Sequence, residues 1–170
     1  APSFHVVAWD APSFGASDVF GDKIEDYVDA AKALMQAVEI RKAIVVGHSM
    51  GGVIATQLAA DRECSTAGLV LSSTHLGFGL PASAPLMARY ATRIDHIKSE
   101  GVDTAYGLER AKRNTPEGTS QAVIRFLAEI TSGARIEGIR DGGRMSQEAD
   151  NAKIGPNVRV PVLILSGGKD

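Results

Sequence analysis

The sequence predicts an α/β domain: a mostly parallel sheet flanked by helices, with a helical lid insertion. Three observations carry this. Apolar runs at residues 4–9, 43–46, 69–71 and 160–165 are continuous rather than alternating, which suits parallel strands covered on both faces. Stretches with helical spacing separate the first three runs, giving β-α-β units with right-handed crossovers. From about His75 to Asn151 the texture becomes mostly helical. The expected division is therefore a core of residues 1–75 and 152–170, with a lid of residues 76–151 inserted between two strands.

Taken in order, the run at 4–9 ends in Asp10-Ala11-Pro12-Ser13-Phe14-Gly15-Ala16-Ser17, a loop rich in turn formers. Asp22 with Glu25 three residues later has the form of a capping box. Behind it Ile24, Tyr27, Val28, Ala31, Leu34 and Val38 recur at helical spacing. The strand at 43–46 is followed by a turn, and Met50, Val53, Ile54, Gln57 and Leu58 then mark one face of a helix ending near Asp61. In the insertion, Leu86, Met87, Tyr90, Ala91, Ile94 and Ile97 share one side of a helix over residues 85–97. Thr119 is placed to cap a helix bearing Val123, Ile124, Leu127 and Ile130. Residues 114–118 and Asp141-Gly142-Gly143 read as breaks. No internal repeat is visible.

Composition narrows the function. The 170 residues suit one compact domain, and a hydrophobic fraction of 44% can supply its core. The formal net charge of -2 makes no electrostatic case for nucleic acid or an anionic membrane surface. Residues 76–150 hold ten Lys+Arg against ten Asp+Glu, so the insertion is balanced rather than an anion trap. Cys64 stands alone, which rules out an internal disulfide and suggests an inert thiol. No apolar stretch approaches the ~20 residues of a membrane span. The chain opens directly in a strand-like segment rather than a signal peptide, and a cytoplasmic setting is expected. No metal or organic cofactor is expected: the histidines lack zinc-ligand spacing, and no carboxylate cluster forms a calcium loop. Gly167-Gly168-Lys169-Asp170 is not a P-loop, because no Ser or Thr follows the lysine and the first Gly is missing.

The chemistry is concentrated at Gly47-His48-Ser49-Met50-Gly51-Gly52. A strand-type run ends in Gly-x-Ser-x-Gly and a helical pattern starts at once. Gly47 and Gly51 allow close backbone packing around a strained serine. Ser49 then stands above the strand end as an acyl-transfer nucleophile, and the Met50 N–H at the helix start can donate to an oxyanion. His48 is adjacent to Ser49, so the turn directs it elsewhere, and it is read as structural. The plainer alternative is a glycine-rich strand-to-helix turn of a kind common in α/β proteins.

With these motifs in this order, the chain resembles the α/β-hydrolase superfamily over nearly its whole length. The loop Asp10 to Ser17 is similar to that family's Asp-x-Pro-Gly-x-Gly-x-Ser loop, with Ser13 in place of the first Gly. The elbow at Ser49 has the family's commonest form. The ending from Val160 to Asp170 is similar to its penultimate core strand, which places the triad acid on Asp170. The triad order of that family is Ser, acid, His. His5, His48, His75 and His96 all precede Asp170, so the resemblance implies a catalytic His outside this sequence. The family also has strands before the one expected at 4–9, including one whose loop gives a second oxyanion donor. The expectation is a central piece of a hydrolase, with little hydrolase activity as an isolated chain because an unassisted serine is a weak nucleophile.

The resemblance implies a small-molecule carboxylic ester or lactone as substrate, cleaved through an acyl-enzyme on Ser49. A serine at this position sets aside the branches that use an aspartate nucleophile. Phe78, Leu80, Leu86, Met87 and Tyr90 are candidate apolar substrate contacts from the lid, or equally its own core. Two alternatives stand beside this reading: a C–C hydrolase or cofactor-free haloperoxidase-like activity, and a non-catalytic binding module on the same fold.

Overall fold

The computed structural model describes residues 4–168. Its elements are α1 (Ile24–Ala37), β1 (Ala43–His48), α2 (Met50–Ala60), β2 (Thr66–Ser72), α3 (Ala88–Glu100), α4 (Thr104–Arg113), α5 (Gln121–Ser132), α6 (Ile136–Glu148), α7 (Asn151–Ile154), a 3-10 turn (Gly155–Asn157) and β3 (Val162–Leu165). The sheet has the order β1-β2-β3 and both pairings are parallel. Residue pairs His48–Ser72 and Ser72–Leu165 stand opposite one another, so all three strands end at one level. The segments leaving those ends, including Ser49 and Ser73, therefore emerge side by side, where open α/β sheets place their ligands.

The sheet is parallel and flanked by helices, as the apolar runs imply. Among the described residues its cover is one-sided. Helix α2 lies on the face carrying Val45, Leu69 and Leu71, where Ala55 and Ala59 let it approach closely. On the opposite face Ile44 and Val46 are 53% and 69% exposed. α2 is accordingly buried nearly all round, from Gly52 to Ala59, rather than along one stripe. Behind it Tyr27 and Ala31 of α1, Val53, Ile54 and Leu58 of α2, and Met145 and Ala149 close the main core.

Several local expectations change. Residues 4–9 form no ladder: Phe4 and Val6 are 73% and 80% exposed, and only Trp9 reaches the core. A strand exists through its neighbour's backbone, and no described strand lies beside this run. At α1 the cap sits one residue later than expected, with the Lys23 N–H donating to Asp26 Oδ2 at 3.0 Å in place of an Asp22–Glu25 box. At α5, Ser120 rather than Thr119 is the cap, accepting from the Val123 N–H at 3.4 Å.

The helices α3 to α7 all fall between β2 and β3. Asp141-Gly142-Gly143 does not break the chain; α6 runs straight through it. Its glycines serve packing instead. A Cβ on Gly142 would stand 2.7 Å from Met50 Sδ, and one on Gly143 would stand 2.7 Å from the Tyr90 ring. Asp141 is buried and accepts from Ser13 Oγ and from Arg140 Nε, each at 2.7 Å. Asn151, also buried, ties α7 to α2, and Gln147, likewise buried, ties α6 to the N-cap of α3. Gln147 accepts the Met87 N–H at 2.8 Å, and Asn151 donates to the Val53 carbonyl at 2.9 Å while accepting from Gln57 at 2.8 Å.

Candidate active site

Ser49 sits between β1 and α2 with φ 50 and ψ -120, a conformation that non-glycine residues rarely adopt. The surroundings hold it there. Its N–H donates to the Ser72 carbonyl at 3.0 Å, and its own carbonyl accepts from Thr74 Oγ1 at 2.6 Å and the Gly52 N–H at 2.9 Å. It occupies the N-cap position of α2, yet its hydroxyl makes no capping bond, which leaves Oγ for other work. Ser49 is exposed at the wall of the cleft described below.

The glycines divide the task differently from the motif's symmetry. A Cβ on Gly47 would collide with the Gly51 carbonyl oxygen and lie 2.6 Å from Gly52 Cα. A Cβ on Gly52 would collide with the Thr74 hydroxyl. A Cβ on Gly51 would meet nothing within 4 Å. Gly47 and Gly52, not Gly51, are therefore the positions that close packing demands.

The Asp10 loop is pre-formed in a comparable way. Ser13 has φ 69, the left-handed conformation a glycine would adopt freely, and its buried hydroxyl is tied to Asp141. The Ala16 N–H donates to Asp10 Oδ2 at 3.2 Å, and Arg135 Nη1 donates to the Ser17 carbonyl at 2.7 Å, joining this loop to α6.

A cleft of about 1080 Å³ opens over the strand ends. Ser49 and Met50 line it, with Phe14, Tyr90 and His75. Met50 is the first residue of α2, so its N–H has no acceptor inside the helix. Gly167 and Gly168 also line the cleft. Asp170, the expected acid, lies outside the described residues. Of the apolar candidates, Tyr90 lines the cleft, and Phe78 stands beside it with its ring 5.0 Å from that of His75. Leu86 packs among Ile94, Ile97 and Ile139 within the insertion, and Met87 caps α3. Leu80 is 38% exposed and its N–H donates to the Gln147 carbonyl.

Two histidines share the cleft. His48 Nδ1 stands 3.5 Å from Ser72 Oγ. His75 Nδ1 accepts the Gly77 N–H at 3.0 Å, so the neutral ring carries its proton on Nε2. Burial, and then the nearby Arg89 cation, hold the His75 pKa below the usual histidine range. Sequence reading did not single out His75, nor the arginines Arg89, Arg93, Arg110, Arg113 and Arg135 that line the same cleft. They lie far apart along the chain, and no linear pattern announces that they meet. Among the described residues no group of three or more His, Cys, Asp or Glu could hold a metal ion, and no helix is long and apolar enough to cross a membrane.

The family profile described as serine aminopeptidase, S33 (Hydrolase_4) matches residues 1–170. The sequence is 25% identical over 154 residues to the esterase EstD of Thermotoga maritima, covering 86% of this chain and 32% of that protein. In fold it is similar to an esterase from Exiguobacterium antarcticum, with TM-score 0.76 and 17% identity, over 94% of this chain and 62% of that one. It is similar also to the enol-lactonase from Burkholderia xenovorans LB400, with TM-score 0.75 and 21% identity, over 93% and 60%. At those identities the two structures establish the fold alone. The chain spans about a third of the esterase EstD and three fifths of the two structures.

Proposed function

We propose, from the premise that this chain belongs to the serine aminopeptidase S33 (Hydrolase_4) family of α/β-hydrolases, that Ser49 is the nucleophile of an ester or lactone hydrolase. The observation that carries the proposal is the Ser49 turn. A serine held at φ 50 between strand and helix, spared from capping and open to a large cleft, costs backbone strain of about 1–3 kcal/mol. A merely structural turn would use a glycine there at no such cost.

In the proposed reaction Ser49 Oγ attacks the substrate carbonyl as a histidine base takes its proton. The tetrahedral oxyanion accepts from the Met50 N–H. Collapse breaks the carbonyl–oxygen bond, the histidine returns the proton to the leaving alkoxide, and Ser49 holds the acyl group. Water, deprotonated by the same histidine, then attacks the acyl carbon; the bond from that carbon to Ser49 Oγ breaks, the histidine returns the proton to Oγ, and the carboxylic acid leaves. Asp170 would orient the histidine. His75 is poorly suited to be that base, because its Nδ1 accepts from Gly77 and its Nε2 therefore carries the proton. His48 leans towards Ser72. The proposal accordingly assigns the base to a histidine following Asp170, in the order Ser, acid, His. The helices between β2 and β3 would act as a lid, with Tyr90 as the apolar candidate that lines the cleft.

The test is hydrolysis of short p-nitrophenyl esters by the protein at its full natural length and by its Ser49→Ala variant. The expected loss in kcat is at least about a thousandfold. Turnover that survives in Ser49→Ala with an unchanged pH profile would refute the assignment and favour a binding module or another chemistry.

A further inference from the structure

The insertion is neutral by count, but its charges separate in space. The cleft that holds Ser49 is lined by Arg89, Arg93, Arg110, Arg113 and Arg135, and by no Asp or Glu among the described residues. Arg135 is engaged, donating to the carbonyls of Ser17 and Gly15. The other four form no ion pair with an acid among the described residues. Arg89 lies over the rings of Tyr90 and Phe78, at 5.6 and 6.0 Å. Arg93, from α3, donates its Nε to the Tyr106 hydroxyl at 3.3 Å.

Arg110, from α4, is the telling member. Its Nε is buried with no hydrogen-bond partner among the described residues. Burial, followed by the Arg93 charge, holds its pKa below the usual arginine range; Tyr106 opposes this, Arg113 adds to it, and Glu109 opposes it least. Arg93, Arg110 and Arg113 line the same cleft, and Arg110 lies within reach of the other two charges. Arg110 and Arg113 fall in the last turn of α4, where cations complement exposed carbonyls. That explains their place on the helix but not the convergence of Arg93 from a different helix. Like charges gathered in a partly desolvated cavity repel unless an anion joins them. Guanidinium forks match carboxylate and phosphate oxygens in pairs.

We propose that the substrate carries an anionic group, a carboxylate or a phosphate, which is held between Arg93 and Arg110 while its ester or lactone carbonyl meets Ser49. This deepens the proposed function and rests on the Ser49 reading. The cleft, at about 1080 Å³, has room for both ends of such a molecule.

The test measures binding by calorimetry to full-length Ser49→Ala protein, so that turnover does not interfere. The probes are monomethyl esters of succinate, glutarate and adipate, each against its neutral dimethyl ester. The expected result is at least tenfold tighter binding of one hemi-ester at low salt, shrinking as salt rises. Arg93→Gln and Arg110→Gln, each checked for an unchanged melting profile, should each reduce that preference about tenfold. Arg110→Lys keeps the charge and covers the case in which Arg110→Gln fails to fold; it should retain part of the preference. Inorganic phosphate is the competitor for the tetrahedral arm, and its displacing the hemi-ester more strongly than succinate does would name phosphate as the source. Equal affinity for hemi-ester and diester, or a preference that survives both Gln substitutions, overturns the proposal. Fluorophosphonate labelling of the wild-type protein separates the two claims. Labelling at Ser49 without an anion preference removes the anion site, whereas an anion preference without labelling removes the acyl-transfer reading beneath it.

Discussion

The glycines around Ser49 give the sharpest stability contrast. Gly47 and Gly51 occupy matched places in Gly-x-Ser-x-Gly, yet the structure assigns them opposite responses to a methyl group. In Gly47→Ala the new Cβ would collide with the Gly51 carbonyl and sit 2.6 Å from Gly52 Cα. Both are backbone atoms of the first turn of α2, so relief requires the helix to shift off β1. Overpacking of this kind costs about 1–3 kcal/mol. In Gly51→Ala the Cβ enters open space, and the residue already has helical backbone. Replacing a helical glycine by alanine gains about 0.5–1 kcal/mol. The two variants should therefore differ by about 1.5–4 kcal/mol, or about 3–16 °C in melting temperature at 2–4 °C per kcal/mol for a domain of this size. Thermal unfolding followed by circular dichroism, with urea titration as a second axis, reads this directly. Equal destabilisation by both substitutions, or a larger loss in Gly51→Ala, would refute the packing argument.

Ser13→Ala should lower stability by about 1–3 kcal/mol in urea titrations, because buried Asp141 loses its hydroxyl donor while the positive φ remains. Ser13→Gly should recover about 1 kcal/mol of that by relieving the backbone. Asn151→Ala should cost about 1–3 kcal/mol, since it removes the donor to the Val53 carbonyl and the acceptor of Gln57 together. Arg89→Gln should raise the His75 pKa in an NMR titration, yet leave it below 6.5 because burial is the larger cause. Between the lowered folded value and the unfolded one, the unfolded chain binds more protons at His75. Its contribution to stability is thus complete above about pH 6.5 and is lost as pH falls from there through the lowered folded value, and His75→Gln should flatten this part of the curve.

The legible parts of the sequence were those whose signal is local. The apolar runs at β1, β2 and β3 and the glycines around Ser49 fix their structure within a few residues, and these elements stand where the pattern put them. Residues 4–9 carry the same local signal, but a strand needs a neighbour, and the propensity alone forms no ladder. Gly142 and Gly143 read as a break because glycine usually punctuates a helix. Only the three-dimensional neighbours Met50, Phe14 and Tyr90 reveal them as contact points. Ser13 looked like a departure from a glycine motif, and its compensation lies 128 residues away at Asp141. The arginine-lined cleft is the strongest case. A charge count over the insertion gives neutrality, whereas folding turns the arginines of α3 and α4 into one cavity.

The central claim is that Ser49 is an acyl-transfer nucleophile. Its most direct test is mass spectrometry of the full-length protein after a fluorophosphonate probe, with peptide mapping and the Ser49→Ala variant as control. The account predicts one adduct, on Ser49, absent from the variant and formed in parallel with loss of ester hydrolysis. An adduct on another serine, or hydrolysis that persists in Ser49→Ala, would contradict it.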